Sequence, residues 1–268
     1  MLRPRITPCL LIRNGGLVKT VQFKDDIYVG DPINAVKIFN EKSVDEIIIL
    51  DIDASVMGKE PDYKLINKLA DESRMPLCYG GGIKNSSQAK RLISMGIEKL
   101  TFSSSFFSSP ELIKEVSEEI GKQSVVAVFD VKKNFLRGYS VYINNGKKKV
   151  EGSIVEWLSL FQDEGVGEIL FNSIDRDGKM NGYDMDLLDL VQDTLTVPST
   201  FLGGASSMED FGDLIAKRGI GGCAAGSLFV FKGKYKAVLI NYPRFEDKQK
   251  LIKESLERFI DNRNNQDN

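Results

Sequence analysis

Eight short apolar runs punctuate the chain, and none of them alternates cleanly between polar and apolar residues. They cover Arg5–Leu11, Glu46–Asp51, Pro76–Tyr79, Lys99–Phe102, Ser124–Asp130, Glu168–Asn172, Pro198–Leu202 and Gly222–Ala225. Short, β-branched and unbroken, they read as parallel strands buried on both faces. Segments with helical spacing lie between them, over 31–42, 62–73, 86–95, 110–120, 153–164, 184–194 and 207–217, and a last amphipathic one covers 245–261. Asp31-Pro32 gives the first of these a cap and a proline at the first helical position. Eight strands alternating with eight helices predict a (β/α)8 barrel, the TIM barrel, with an open doubly wound sheet as the alternative. The polar tail 262–268 is expected to fray.

The pattern also repeats. Residues 79–107 (YGGGIKNSSQAKRLISMGIEKLTFSSSFF) and 202–230 (LGGASSMEDFGDLIAKRGIGGCAAGSLFV) share one plan about 122 residues apart. Each is a strand ending in glycines, a helix, a strand, then a small-residue turn running into aromatics. The repeat favours barrel closure: one domain over 1–268, built from half-barrels of about 1–122 and 123–245 plus the terminal helix. Two insertions stand at matching positions, 13–29 after the first strand and 132–152 after the fifth. Asn145-Gly146 marks a hairpin in the second.

Composition narrows the chemistry. Apolar residues make up 42% and charged ones 28%, as in an ordinary soluble fold. A net charge of −2 with no basic stripe argues against a nucleic-acid partner. No apolar run approaches ~20 residues, so no membrane span is expected. MLRPRITPCLLI lacks a cleavage pattern, which points to the cytoplasm. Cys9, Cys78 and Cys223 are scattered and read as buried free thiols. The chain has no histidine, which removes a histidine base and the usual zinc sites. Neither a metal nor a cofactor is expected.

Three constellations remain. Gly81 and Gly82 with Ser103 and Ser104, and Gly203 and Gly204 with Gly226 and Ser227, form two glycine-serine grips at strand ends. Exposed N–H groups there suit phosphate, so a ligand with a phosphate at each end is expected. Asp51, Asp53, Asp130, Asp175 and Asp177 follow strands 2, 5 and 6 and would ring the barrel mouth. Asp130 ends the apolar run VVAVF and becomes an acid/base if its surroundings raise its pKa. Arg5, Glu46, Lys99 and Glu168 begin four strands. At the bottom of a barrel they form a neutral ring, whose ordinary meaning is a stability network.

These stretches resemble the cyclase subunit of imidazole glycerol phosphate synthase, the HisF family, over essentially the whole chain. The resemblance rests on RITPCL at 5–10, LVK at 17–19, GDP at 30–32, DEIIILDIDAS at 45–55, GGGI at 80–83, VVAVFD at 125–130 and SIDRDGKMNGYD at 173–184. It implies a (β/α)8 barrel with half-barrel symmetry and a bisphosphorylated small-molecule ligand. It also implies a HisH-like glutaminase on the bottom face and ammonia passing through the barrel. By the same resemblance Arg5, Glu46, Lys99 and Glu168 gate ammonia, and Glu98 lies near the glutaminase contact. Lys19 is a mobile-loop lysine over the substrate, Asp130 is one of two catalytic aspartates, and Asp177 and Gly178 join the phosphate-binding set.

The chain departs from the family at the other aspartate. The family reads PCLDV where this chain reads PCLLI, which puts Leu11 at the acid position. Ser103 stands where the family carries an amide. The combination is similar to paralogues associated with surface-polysaccharide genes, whose ammonia is thought to go to a separate sugar amidotransferase. The reading adopted is an ammonia-conducting barrel of that kind. The alternatives are a working cyclase of histidine biosynthesis and a non-catalytic scaffold that activates the glutaminase.

Overall fold

All eight apolar runs are strands in the computed structural model, which describes residues 3–134, 138–219 and 221–266. They are β1 (Arg5–Arg13), β2 (Ile47–Asp51), β3 (Leu77–Gly80), β4 (Lys99–Phe102), β5 (Val125–Lys133), β6 (Glu168–Ser173), β7 (Ser199–Leu202) and β8 (Gly222–Ala225). Each pairs in parallel with the next, and β8 returns to β1 with Arg5 opposite Gly222 and Ile6 opposite Cys223. The sheet is therefore closed, and the fold is a (β/α)8 barrel rather than an open sheet.

Closure sorts alternate residues into two separate apolar clusters. Cys9, Ile48, Cys78, Val126, Val128, Leu170, Leu202 and Ala224 pack inside the barrel. Their strand neighbours, such as Ile6, Ile47, Leu77, Phe129 and Phe171, pack outward against the helices. Two glycines let the interior close. A Cβ on Gly80 would lie 1.8 Å from Thr101 Oγ1, and one on Gly222 would lie 1.9 Å from Thr200 Oγ1. In each half a threonine from the adjacent strand fills the space that the glycine leaves.

The helices are α1 (Pro32–Glu41), α2 (Tyr63–Glu72), α3 (Ser86–Ser94), α4 (Glu111–Ile120), α5 (Ile154–Asp163), α6 (Met185–Val191), α7 (Met208–Arg218) and α8 (Phe245–Gln266). Side-chain caps set several starts: Asp31 accepts from Asn34 N, Asp62 from Leu65 N, Asn85 from Gln88 N and Asp184 from Leu187 N. Ser153 and Glu156 form a reciprocal capping box on α5.

Three features differ from the sequence expectation. Strands β1 and β5 run beyond Leu11 and Asp130, because both continue as antiparallel ribbons into the insertions. The first insertion pairs Gly16–Val21 with β1 and with Lys24–Gly30. The second pairs Tyr139–Ile143 with β5 and with Lys148–Lys149, and it turns through Asn144 and Asn145 at φ +55° and +56°. Residues 135–137 of that insertion lie outside the described residues. Short helices Ser104–Ser108 and Ser227–Val230 follow β4 and β8. They are too short to show a period, and aromatic packing secures them: Phe106 stacks on Phe102, and Phe229 stacks on Phe211. The tail is also helical past 261. Helix α8 continues to Gln266, where Asn262 Nδ2 donates to Ala216 O of α7; residues 267–268 of the predicted frayed tail lie outside the described residues.

Helix α8 is fastened to the start of β1. Lys248, with a side chain only 2% exposed, donates to Asp45 Oδ1 at 2.7 Å, while Asp45 Oδ2 accepts from Ile6 N at 3.1 Å. Tyr242 OH donates to Ile6 O at 2.7 Å. Removing one partner of a buried pair leaves the other charge uncompensated. Lys248→Ala is therefore expected to cost about 3 kcal/mol, read as a shift in the denaturant unfolding midpoint. A shift worth less than about 1 kcal/mol would place the anchoring of α8 elsewhere.

Candidate functional site

The charged residues at the strand starts meet at one end of the barrel. Arg5 donates to Glu46 Oε2 at 2.7 Å and to Glu168 Oε1 at 2.6 Å. Lys99 Nζ lies 3.2 Å from Glu46 Oε1 and 2.8 Å from Glu168 Oε2. Each cation touches both anions, so the four form a closed ring of net charge zero. Thr200 Oγ1 adds a third donor to Glu168 at 2.6 Å. Burial works to raise the Glu168 carboxyl, but Arg5, Lys99 and Thr200 outweigh it and hold the group below the usual range. With fewer donors, Glu46 is pushed up by burial. Burial opposes the charge of Arg5 and Lys99 too, yet both are raised by the two glutamates. Glu98, next to this ring in sequence, is exposed.

The other end of the barrel holds a cavity of about 120 Å³. Leu11, Leu50, Val128 and Leu202 give it an apolar floor, and Gly81, Gly82, Ser103 and Ser104 form one wall. Asp130 faces it from β5 and is half-buried. Burial raises its pKa to about 7, with Asp177 adding to the effect and a hydrogen bond from Asn172 opposing it. Asn172 Nδ2 donates to Asp130 Oδ1 at 3.0 Å, while Asn172 Oδ1 is buried with no partner among the described residues. Ser103 Oγ is in the same state. An unpaired buried acceptor beside a carboxyl that titrates near neutrality is an arrangement suited to meeting a ligand.

The remaining acids have internal work. Asp51 lines the cavity, but its Oδ1 accepts from Asp53 N and Ala54 N, and burial pushes it up despite those bonds. Asp53 accepts from Arg13, which also holds Asp26. Asp175 accepts from Lys133 N at 2.7 Å. Asp177 ties down the first ribbon: Lys19 Nζ lies 2.6 Å from its Oδ1, and Thr20 Oγ1 and Phe23 N donate to its Oδ2. Lys19 is only 5% exposed. Its chain crosses Gly226, where a Cβ would lie 2.9 Å from Lys19 Cε.

Both glycine grips have the conformations that only glycine adopts freely. Gly81 and Gly82 have φ of +123° and +76°, and Gly203 and Gly204 both have +102°. A Cβ on Gly81 would lie 2.4 Å from Asp51 O, and one on Gly204 would lie 2.0 Å from Gly182 O. The first grip opens on the main cavity. The second, with Gly178 and Ser227, borders a space of only about 10 Å³ beside Lys19 and Asp177.

The two ribbons roof the cavity. Asn145 Nδ2 reaches across to Ile52 O at 2.7 Å, and Asn144 N donates to Ser104 Oγ at 3.2 Å. Arg13, Thr20, Ser55, Asn145 and Asn172 all line the site, though the sequence marks Asn145 only for a hairpin and the rest for no site role. Asn172 had a signal, since it ends the run EILFN just as Asp130 ends VVAVF. Ser55 and Asn145 sit on turns, and Arg13 and Thr20 on the strands of the first ribbon, whose return over the mouth is not encoded locally. Among the described residues no cluster of three or more Cys, Asp and Glu is arranged to hold a metal.

Comparison with known proteins agrees with this geometry. The family profile described as "Histidine biosynthesis protein" matches residues 5–236. The chain is 54% identical to "Putative imidazole glycerol phosphate synthase subunit HisF" of Leptospira interrogans, over 94% of this chain and 100% of that one. It is 51% identical to the protein named hisF3 in Vibrio vulnificus, over 94% and 97%. "Imidazole glycerol phosphate synthase subunit HisF" of Natranaerobius thermophilus is 36% identical over 90% and 96%.

Asp130 should govern a pH-dependent part of the stability. Its carboxyl titrates at about 7 in the fold but near 3.9 in an unfolded chain. As pH rises, the unfolded chain sheds this proton first, so stability is lost between about pH 4 and about pH 7. Asp130→Asn should therefore stabilise the protein by about 2–4 kcal/mol above pH 7 and by little near pH 4. An equal effect at both ends would refute the shift. Asn172→Leu removes the hydrogen bond that favours the charged form, so carbon NMR of Asp130 should report a pKa above that of the unmodified protein.

Proposed function

The chain belongs to the histidine biosynthesis protein family, among its HisF-like members, and from that premise we propose that it is the barrel subunit of a glutamine-dependent amidotransferase. In this reading a HisH-like glutaminase docks on the ring end near Glu98. Ammonia enters past Arg5, Glu46, Lys99 and Glu168, crosses the barrel and leaves through the cavity at the other end. A separate amidotransferase then uses it to amidate a sugar for surface polysaccharide.

The observation that carries this reading is Leu11. It lines the same cavity as Asp130, at the position where the resemblance calls for a second acid. A leucine neither gives nor takes a proton, and losing one acid/base group costs ~10²–10⁴ in rate. Of the other acids lining the cavity, Asp177 is held by Lys19, and Asp51 has one oxygen held by two backbone N–H groups. Between the two ends the barrel interior is packed with Cys9, Ile48, Cys78, Val126 and Leu170, and burial pushes the Cys9 thiol up to about 12 and Cys78 well above its usual value. Such an interior carries no charge at neutral pH. It suits neutral ammonia and penalises ammonium, whose desolvation is costly. Numbered names such as hisF2 and hisF3 among relatives at 48% and 51% identity fit a paralogue.

A second reading, a working cyclase of histidine biosynthesis, is favoured by Asp130, whose raised pKa and Asn172 contact suit an acid/base group. The deciding measurement is turnover of the family's bisphosphorylated substrate by the purified chain with saturating ammonium. The proposal expects binding without turnover; formation of imidazole glycerol phosphate at enzyme-like rates would establish the cyclase instead. Leu11→Asp should then raise turnover by at least about 10-fold if that acid is the missing part, and no gain would point to further defects.

Lys99→Glu tests the gate. It turns a neutral ring into one with three anions against Arg5. With the glutaminase bound, the ammonia delivered per glutamine hydrolysed should fall severalfold. An unchanged ratio would remove the ring from the path.

A further inference from the structure

Between β8 and α8 the chain makes a small hairpin, Phe231–Lys232 paired antiparallel with Ala237–Val238. Residues 232–239 are all exposed, and no other run of exposed residues among those described is as long. The hairpin nevertheless stands on a fixed base. Phe231 is buried in the core, Leu239 N donates to Val230 O at 2.9 Å, and Asn241 N donates to Phe229 O at 2.9 Å. Lys236 N closes the turn on Gly233 O at 3.0 Å.

Two properties coincide on this protrusion. Tyr235 at the tip is 92% exposed, and Val238, Leu239 and Phe245 are 47%, 48% and 58% exposed. Lys232, Lys234 and Lys236 flank the tyrosine, and no ion pair holds any of them among the described residues. From Phe231 to Phe245 the sequence FKGKYKAVLINYPRF carries four cations and no acid, in a chain whose net charge is −2. The cations are thus a local feature placed against the overall charge. The whole-chain view of the sequence finds no basic stripe, because the run is short and its exposure is set by tertiary structure.

We propose that this hairpin docks the protein on an anionic phospholipid surface. The lysines reach the lipid phosphates, while Tyr235, Val238 and Leu239 sink into the boundary between headgroups and acyl chains. Aliphatic side chains between cations argue for lipid over nucleic acid, since a phosphate backbone gains nothing by covering Val238 and Leu239. A convex tip argues for a soft surface over a protein groove. Lysine stems lying along the apolar residues with their ammonium groups in the phosphate layer are the arrangement expected at such a boundary. The contact is peripheral, as no described helix is long and apolar enough to cross a membrane. It is independent of the ammonia reading, since it uses no residue of the ring or the cavity.

The test is sedimentation of the full chain with vesicles of phosphatidylcholine alone and with about three parts in ten phosphatidylglycerol. Binding is expected only with phosphatidylglycerol, and it should vanish at about 1 M salt, where the screening length is about 3 Å. The triple change Lys232→Glu, Lys234→Glu, Lys236→Glu should weaken partitioning by at least about 10-fold. Tyr235→Ser should weaken binding less and leave its salt dependence intact. All these positions are exposed, and an unchanged thermal midpoint would show that the variants fold. No binding to phosphatidylglycerol vesicles would overturn the proposal and leave the hairpin to a protein partner. Undiminished binding by the triple variant would overturn it by placing the lipid contact elsewhere.

Discussion

Everything in this molecule depends on the parallel pairing of β8 with β1, with Arg5 opposite Gly222. That register closes the barrel and decides which residue of each pair points inward. On β1 the inward set is Arg5, Thr7, Cys9 and Leu11. A slip of one residue would exchange this set for Ile6, Pro8 and Leu10, moving an apolar face into the mouth and a cation among the helices. Small residues permit the closure. Gly80 and Gly222 admit Thr101 and Thr200, and those threonines fill the barrel interior beside them without charge. Helix α8 secures the same register from outside, since Lys248 and Tyr242 engage the backbone and neighbours of Ile6.

The same strands carry both polar ends of the barrel. Strand β6 begins at Glu168 in the ring and ends near Asn172 at the cavity, and β5 leads to Asp130 by way of Val126 and Val128. The two ends are built on opposite electrostatic principles. In the ring every charge has two partners of opposite sign, which offset the cost of burial at Glu168, Arg5 and Lys99 but not at Glu46. At the cavity Asp130 has one amide and no cation, so burial keeps its proton to about pH 7. Between them the barrel interior is packed with apolar side chains and thiols, and Leu11 lines the cavity at one end while Arg5, Glu46, Lys99 and Glu168 stand at the other.

Much of this was legible in the sequence, because strands, caps and the repeat are local signals. VVAVFD and EILFN show buried strands with polar ends, and Asp31-Pro32 shows a helix start that the structure keeps. The four ring residues could be named because each begins a strand, and the (β/α)8 closure supplies their meeting. What could not be read were the contacts made by returning loops. The distance from Lys19 to Asp177 spans 158 positions, and Asn145 to Ile52 spans 93. No spacing rule links residues so far apart. The roles of Asp51 and Asp175 were hidden for a related reason: an acid after a strand can face the mouth or accept a backbone N–H, and only the turn geometry chooses.

The two-fold repeat is also broken in a directed way. Gly81–Gly82 and Gly203–Gly204 share the same positive-φ turn, so the backbone keeps the symmetry. The side chains do not. Ser103 in the first half leaves a buried hydroxyl facing an open cavity. Its counterpart in the second half is Gly226, and the room it yields is taken by the Lys19 side chain on its way to Asp177. Glycine at 226 therefore serves the docking of the first ribbon, whatever else it grips. The second ribbon has no equivalent lysine, and it leans on Ser104 and Ile52 in the first half through Asn144 and Asn145. One ribbon fills a grip with its own ammonium and the other only bridges its rim. From one repeated backbone the chain thus makes a closed half and an open half, and the open half is the one that Asp130 faces.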